Sequence, residues 1–254
     1  MRRNSLLRTH FDAHVKHAAD ADGLIELLLR STQLDEDYGK KMSINLVSSP
    51  LSQHGEDALA WNLAGRSKTG FFIEAGAHDG VSLSNTCFLE QIGWTGLLVE
   101  AHPELVAKCR RSRPRSVVVH AALGRDEGPL TCEFQMVIGS GGVDALSFSS
   151  ASDLHRERIE REGGKIEAVT VPCTSLNKLL TKISPPSVDF VSLDVEGAEV
   201  LVLSGFDLDK WKPRILAIED NSNGQDLAIR HFMAGKGYKR ILRLACNDFY
   251  VRSI

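Results

Sequence analysis

The residues with the clearest chemical potential form a glycine turn after a short apolar run. Phe71 to Ile73 is typical of a buried strand, and it leads into Glu74 and then a glycine pair, Gly76 and Gly80. Because neither glycine has a Cβ, both tolerate positive φ and let the backbone pass close to a ligand. The pattern predicts a nucleotide-cofactor turn, followed by a helix that opens near residues 82–85 and directs free N–H groups at a carboxylate or phosphate.

A second acidic residue follows the next predicted strand. Gly96 to Val99 is an apolar run that ends in Glu100. In open α/β sheets an acid at this place hydrogen-bonds the two ribose hydroxyls of a dinucleotide or of an adenosyl cofactor. The turn and the acid together indicate a nucleotide cofactor. A glycine that follows a strand without such an acid more often only allows the chain to turn.

The turn also discriminates between cofactors. His78 stands where dinucleotide-binding turns place the middle glycine of G-x-G-x-x-G. A bulky residue there disfavours pyrophosphate, and Glu74 would repel phosphate but accept a hydrogen bond from an ammonium group. These are the requirements of S-adenosylmethionine, which has an amino-acid end, a sulfonium and a ribose but no phosphate.

Further acids follow the later predicted strands. Residues 188–193 form the continuous apolar run of a central parallel strand, and Asp194 and Glu196 come directly after it. Acids at the carboxyl ends of such strands lie over the ligand crevice of an open α/β sheet. We therefore predict Asp194 and Glu196 as catalytic residues.

A metal site is one interpretation of this end of the sheet. The next strand, residues 214–219, runs into Asp220 and Asn221, so Asp194, Asp220 and Asn221 are expected to converge. Three oxygen ligands with open positions suit Mg²⁺. The alternative is that Asp220 and Asn221 only cap a helix near residues 225–234.

At this point three segments resemble a known family. Residues 72–80, 99–103 and 189–199 look like the corresponding motifs of the FkbM family of S-adenosylmethionine-dependent methyltransferases, over roughly residues 50–245. The resemblance implies a class I methyltransferase fold, a Rossmann-like seven-stranded α/β sheet with helices on both faces. For many members it also implies O-methylation of a sugar or natural-product hydroxyl.

Specific roles follow from the turn, the acids and this resemblance. Glu74, Gly76 and Gly80 are expected to hold the amino-acid end of the cofactor, and Glu100 its ribose. The predicted cofactor-binding residues are Glu74, Gly76, His78, Gly80, Asn85, Glu100, Ala101, Ala121 and Asp194, of which Ala121 would border the adenine together with Ala122.

The predicted metal set resembles that of catechol O-methyltransferase and its relatives, which place Asp at one strand end and Asp-Asn at the next. There the cation binds the acceptor oxygen and lowers its pKa. Without a metal, Glu196, His78 or His155 remain as alternative bases.

The overall composition limits the possible partners and the compartment of the protein. The chain has 254 residues, a net charge of −3 and the composition of an ordinary globular protein, which gives no global attraction to nucleic acid or membrane. Five scattered cysteines without a C-x-x-C pair favour a reducing compartment. No run is long enough for a membrane span or has the pattern of a signal peptide, so we expect a cytoplasmic protein.

Two segments lie outside the predicted core. Residues 1–50 are expected to form a helical extension that caps the active site, or equally a packing helix or the contact of a homo-oligomer, ahead of a methyltransferase domain at 51–254. Residues 139–165 are rich in glycine and serine and then charged. We expect a mobile insert there, as a substrate lid or as a solvated loop.

Two other functions compete. A nicotinamide-dependent oxidoreductase would need the dinucleotide glycine spacing and a Tyr-x-x-x-Lys donor, and neither occurs. A non-catalytic S-adenosylmethionine-binding module would keep the turn but could lose the acids over the crevice, which are all present. We therefore expect an enzyme that methylates a small-molecule hydroxyl.

Overall fold

The computed structural model describes residues 51–138, 157, 159–222, 224–225 and 227–253. The strands of this part are β1 (Phe71–Ala75), β2 (Thr95–Glu100), β3 (Val117–His120), β4 (Ala122–Leu123), β5 (Thr131–Ile138), β6 (Lys165–Thr174), β7 (Phe190–Leu193), β8 (Ile215–Glu219), β9 (Tyr238–Leu244) and β10 (Asn247–Arg252). The helices that pack around them are α1 (Glu56–Leu63), α2 (Cys87–Ile92), α3 (Pro103–Ser112), α4 (Leu176–Ile183), α5 (Glu199–Ser204), α6 (Leu208–Trp211) and α7 (Ala228–Gly235).

The main sheet has seven strands in the order β3-β2-β1-β7-β8-β10-β9. The pairs from β3 to β8 are parallel, and β10 is antiparallel to both of its neighbours. This confirms the predicted seven-stranded class I methyltransferase sheet with a terminal hairpin and one antiparallel strand. A smaller sheet, β4-β6-β5, lies beside it.

Helices cover both faces of the main sheet, as predicted. Phe72 and Phe190 pack in one buried cluster with side chains of α1 and α2. Their neighbours along the strands, Ile73 and Val191, pack in the opposite cluster with side chains of α4, α5 and α7. Because both faces are buried, the central strands are largely apolar instead of alternating, which made them visible in the sequence.

Two elements differ from the sequence prediction. Val117–His120 is not a buried strand, because β3 is the edge of the sheet and its side chains are exposed or half-buried. The helix expected to open near residues 82–85 begins at Cys87, after a series of turns. Side chains of Ser84 and Glu74 bind the amides in those turns, so these amides do not form a free helix end.

Some predictions lie partly or wholly outside the described residues. The N-terminal extension, residues 1–50, is outside them, and so is most of the predicted insert, residues 139–156. The strands that flank the insert, β5 and β6, pair with each other in antiparallel register. No helix among the described residues is long and apolar enough to cross a membrane.

The first glycine of the turn sits where two strand ends meet. Gly76 has a φ of +81°, and a Cβ built on it would lie 1.7 Å from the carbonyl oxygen of Asp194. Its N–H donates to the carbonyl of Val99. The glycine is therefore required by the close approach of the chain after β7, and this approach brings Asp194 beside the turn.

We predict that Gly76→Ala destabilises the protein by more than about 4 kcal/mol, or prevents folding, because the new Cβ overlaps a backbone oxygen that cannot move alone. Gly65→Ala is the matched control: Gly65 also has positive φ, +72°, but nothing lies within 4 Å of a Cβ built on it. The control should lose only about 1–2 kcal/mol, from the left-handed backbone. Urea denaturation measures both, and equal losses would contradict the account.

Candidate active site

A crevice is defined by the carboxyl ends of β1, β2, β7 and β8. Backbone hydrogen bonds tie these ends together: the N–H groups of Gly76 and Ala77 donate to the carbonyl of Val99, and that of Asp194 donates to the carbonyl of Ala75. The turn after β1 and the loop after β7 are thereby fixed against each other. Predicted residues from three strand ends meet here.

Glu100, at the end of β2, faces the turn. Its Oε2 accepts a hydrogen bond from the N–H of His78 at 2.7 Å, and its Oε1 accepts one from the N–H of His102 at 2.7 Å. Burial raises the pKa of this carboxyl, while the amide hydrogen bonds act in the opposite direction. Since each carboxylate oxygen has two lone pairs, each keeps one acceptor position beyond its amide.

His78 adopts an unusual backbone conformation at the same place. Its φ is +50°, a left-handed value that a non-glycine residue adopts only when its surroundings require it. Its Nδ1 lies 3.6 Å from a carboxylate oxygen of Asp79. The hydrogen bond to Glu100 uses the amide of His78, so it is the backbone of His78 that links the turn to the acid.

Glu74 does not occupy the position that the sequence predicted. Its carboxylate is buried and accepts hydrogen bonds from the hydroxyls of Ser84 and Thr86 and from the N–H of Asn85. The side-chain amide of Asn85 is buried too and donates to the hydroxyl of Ser192 at 2.9 Å. This geometry favours a supporting role for Glu74 and Asn85 beneath the turn over the predicted direct contact with the cofactor.

Arg113 is the residue of this region that sequence reasoning missed. Its side chain is 1% exposed and lies between two buried carboxylates, with Nε 3.0 Å from Glu90 and Nη1 3.5 Å from Glu74. Nη1 also donates to the carbonyl of Gly80, and the guanidinium lies 5.3 Å from the ring centroid of Phe72. A single buried cation thus joins β1, the second glycine of the turn and α2.

Two alanines predicted to bind the cofactor, Ala101 and Ala121, lie beside Glu100. Ala121 is buried, and its N–H donates to the carbonyl of Glu100 at 3.0 Å. The carbonyl of Ala101 lies 2.9 Å from Nε2 of His120. Both positions are therefore on the β2 and β3 side of the crevice, where a planar ring next to a bound ribose would meet small side chains.

Three acids gather on the other side of the turn. One carboxylate oxygen each of Asp194, Glu196 and Glu219 lies within 4.8 Å of the others, and we call this group the acid cluster. Glu219 is 8% exposed, and its Oε2 has no hydrogen-bond partner. Burial raises the pKa of Glu219 strongly, and the charges of Asp194 and Glu196 raise it further.

Two of the three predicted metal ligands, Asp220 and Asn221, lie outside the acid cluster. The carboxylate of Asp220 pairs with Arg243 at 2.8 Å and accepts from the N–H of Ser222, and Asn221 is exposed. Although burial alone would raise the pKa of Asp220, the hydrogen bonds from Ser222 and Arg243 lower it. The alternative, a cap on the following helix, is wrong, because α7 begins at Ala228 behind an N-cap at Leu227.

Strand register explains why Glu219, and not Asp220, belongs to the acid cluster. β7 and β8 pair with Leu193 opposite Ile218, so Asp194 is aligned with Glu219 and not with Asp220. Successive side chains of an extended chain point to opposite sides, and a shift of one residue exchanges the side chain that faces the crevice. The sequence alone does not show which of the two neighbouring acids at the end of β8 faces the crevice.

Three further acids hold the surrounding segments. Glu199, at the start of α5, accepts hydrogen bonds from the N–H groups of Val195 and Gly197, and burial raises its pKa. Glu56, at the start of α1, accepts one from the side chain of Asn247 at 3.1 Å. Asp57 is also buried and binds the N–H of Leu51, so it stabilises the turn before α1 and does not face the crevice.

The hydrogen-bond acceptors of Glu100 fit the ribose of S-adenosylmethionine. Each oxygen of this buried carboxylate accepts one backbone amide and retains one lone pair, and a ribose offers two adjacent hydroxyl donors. Glu74 does not fit the ammonium group in the same way, because its oxygens already have partners on Ser84, Asn85 and Thr86. The site can therefore hold a nucleoside through Glu100, next to an acid cluster able to act on a second molecule.

Comparisons with known proteins give one family match and several similar structures. The family model of the methyltransferase FkbM domain matches residues 74–240, which is more than half of the chain. The chain is similar to an O-methyltransferase from Bacillus cereus, solved with S-adenosylhomocysteine, at 13% identity and a TM-score of 0.40, covering 96% of this chain and 95% of that one. It is also similar to a putative O-methyltransferase from Klebsiella pneumoniae, at 9% identity and a TM-score of 0.43, covering 97% of each chain.

A third similar structure is a precorrin-6y C5,15-methyltransferase from Geobacter metallireducens. The identity is 8% and the TM-score 0.42, with 84% of this chain and 94% of that chain covered. A search of curated proteins finds no match.

We predict that Arg113→Met destabilises the protein by about 3–5 kcal/mol, because it leaves Glu74 and Glu90 as buried carboxylates without their cation. Arg214→Met is the control. Arg214 also pairs with an acid, Asp189 at 3.2 Å, but its side chain is 57% exposed, so the control should lose at most about 1 kcal/mol. Thermal and urea unfolding measure both, and similar losses for the two variants would show that the buried network has no special role.

Proposed function

The chain belongs to the FkbM methyltransferase family and takes its methyl group from S-adenosylmethionine, and we propose that it methylates a hydroxyl oxygen of a small sugar-like or natural-product acceptor. The observation that carries the proposal is that Glu100 and the acid cluster lie on two sides of the same glycine turn. Glu100 lies on one side with acceptor positions for a ribose, and the acid cluster lies on the other.

Different residues of the chain would bind and position the cofactor. Glu100 binds the ribose hydroxyls, and the amide of His78 holds the Glu100 carboxylate in place. The small side chains of Ala101 and Ala121 leave room for the adenine. Arg113 and Glu74 support the turn from below, so that the position of the cofactor is set before the acceptor arrives.

When bound, S-adenosylmethionine supplies a methyl group on a positively charged sulfur, open to in-line attack. The attacking hydroxyl must lose its proton, and carboxylates of the acid cluster are the groups at this edge of the sheet that can accept it. Where no cation takes part, we assign this task to Glu196 or Asp194, which are only half-buried and lie on the loop after β7. His78, beside Asp79, is the alternative base.

Assistance by a divalent cation such as Mg²⁺ is part of the proposal. A cation bound to the acceptor oxygen would lower its pKa and fix its direction. The structure favours the predicted ligands Asp220 and Asn221 less, because Asp220 pairs with Arg243 and Asn221 is exposed. The remaining candidates are the residues of the acid cluster.

Membership of the family leaves the nicotinamide alternative without support, and a non-catalytic binding module is the competing function that an experiment must exclude. A small-molecule acceptor without nucleic-acid or membrane partners, homo-oligomerisation and a cytoplasmic location all stay predictions.

The proposed activity is tested by incubating the full chain with S-adenosylmethionine and a panel of sugars, polyols and phenols. We expect S-adenosylhomocysteine to form only with an acceptor, and NMR of the product to show a methyl ether. A methyl group on nitrogen or carbon would contradict O-methylation. Tight cofactor binding without turnover on any acceptor class would favour the non-catalytic module.

Glu100→Ala should weaken the binding of S-adenosylhomocysteine at least about 100-fold, because two hydrogen bonds to a charged group contribute about 1.5–3 kcal/mol each. Glu100→Gln keeps one acceptor oxygen and should lose less. Isothermal titration calorimetry gives the dissociation constants.

The control for this prediction is Glu104→Ala, which removes a carboxylate exposed on α3 and should leave binding unchanged. Circular dichroism of each variant separates lost binding from lost folding. If folded Glu100→Ala binds as tightly as the unaltered chain, Glu100 is not the ribose ligand.

A further inference from the structure

The geometry of the acid cluster matches a shared metal ion. One oxygen of each of Asp194, Glu196 and Glu219 lies within 4.8 Å of the other two. Two oxygens that bind the same ion at about 2.4 Å are at most about 4.8 Å apart, when they stand on opposite sides of it. All three spacings fall within that limit.

A second observation is independent of this spacing. Glu219 is 8% exposed, so its carboxylate is removed from solvent, yet Oε2 accepts no hydrogen bond. A buried polar oxygen without a partner costs free energy, and native structures rarely leave one without a reason. An ion coordinated by Glu219 would supply the missing partner of Oε2.

The backbone fixes the three residues before any ion arrives. Glu199 accepts hydrogen bonds from the N–H groups on both sides of Glu196, at Val195 and Gly197. The N–H of Asp194 donates to the carbonyl of Ala75, and Glu219 ends a strand that pairs on both sides. Ligands on such a framework need little reorganisation to bind.

We propose that Asp194, Glu196 and Glu219 form a binding site for a divalent cation that prefers oxygen ligands, such as Mg²⁺ or Mn²⁺. The adjacent acid Asp220 is excluded because Arg243 already neutralises it at 2.8 Å. The site is defined by these residues alone. Its task of holding the acceptor oxygen rests on the proposed function.

The site is tested by titrating the full chain with Mn²⁺, without cofactor or acceptor, and following free Mn²⁺ by electron paramagnetic resonance. We expect one saturable site. Glu219→Gln and Glu196→Gln should each weaken it at least about tenfold, since even residues that only orient metal ligands are worth about 10–100-fold. Asp220→Asn, a neighbouring acid outside the cluster, should change it by less than about threefold.

Two outcomes would overturn the site: no saturable Mn²⁺ binding by the unaltered chain, or binding that Asp220→Asn weakens as much as the cluster variants do. Glu196 is half-buried on a loop, so Glu196→Gln keeps the test valid if Glu219→Gln does not fold. Because the titration contains neither cofactor nor acceptor, failure of the ion site is distinguishable from failure of the methyltransferase proposal. Methyl transfer that proceeds equally well in EDTA would reject the role of the ion in catalysis.

Discussion

The contact between Gly76 and the carbonyl of Asp194 is the constraint on which the site depends. No side chain fits between the turn after β1 and the loop after β7, since a Cβ on Gly76 would lie 1.7 Å from that oxygen. The contact places the two loops side by side over adjacent parallel strands. The nucleoside side of the crevice and the acid cluster are therefore held at a fixed separation, as a transfer reaction between two bound molecules requires.

Buried charge supports this contact from below and from both sides. Arg113 lies between Glu74 and Glu90 under the turn, Glu100 binds the amides of His78 and His102, and Glu199 binds those of the loop after β7. Buried charges are costly unless they are paired or hydrogen-bonded, so each of them fixes the conformation of the segment that satisfies it. The acids that the sequence showed at the strand ends thus include two groups: those that hold the loops and those that face the crevice.

The fold could be predicted from the sequence because each strand is indicated by residues that are adjacent in the chain. Buried parallel strands produce apolar runs such as residues 188–193, and Glu100 was recognisable because it directly follows one of them. The errors concern partners that are distant in the chain. Glu74 is bound by Arg113, 39 residues later, and the sequence around either residue does not indicate this contact. Asp220 was chosen over Glu219 because the register of β7 against β8 is set by the packing of the whole sheet.

The central claim is that the crevice between Glu100 and the acid cluster binds the cofactor. The most direct test is a crystal structure of the full chain with S-adenosylhomocysteine. The account predicts both ribose hydroxyls within hydrogen-bonding distance of the Glu100 carboxylate, and the sulfur beside the Gly76 turn, facing Asp194. A nucleoside bound elsewhere, or bound here without contact to Glu100, would contradict it.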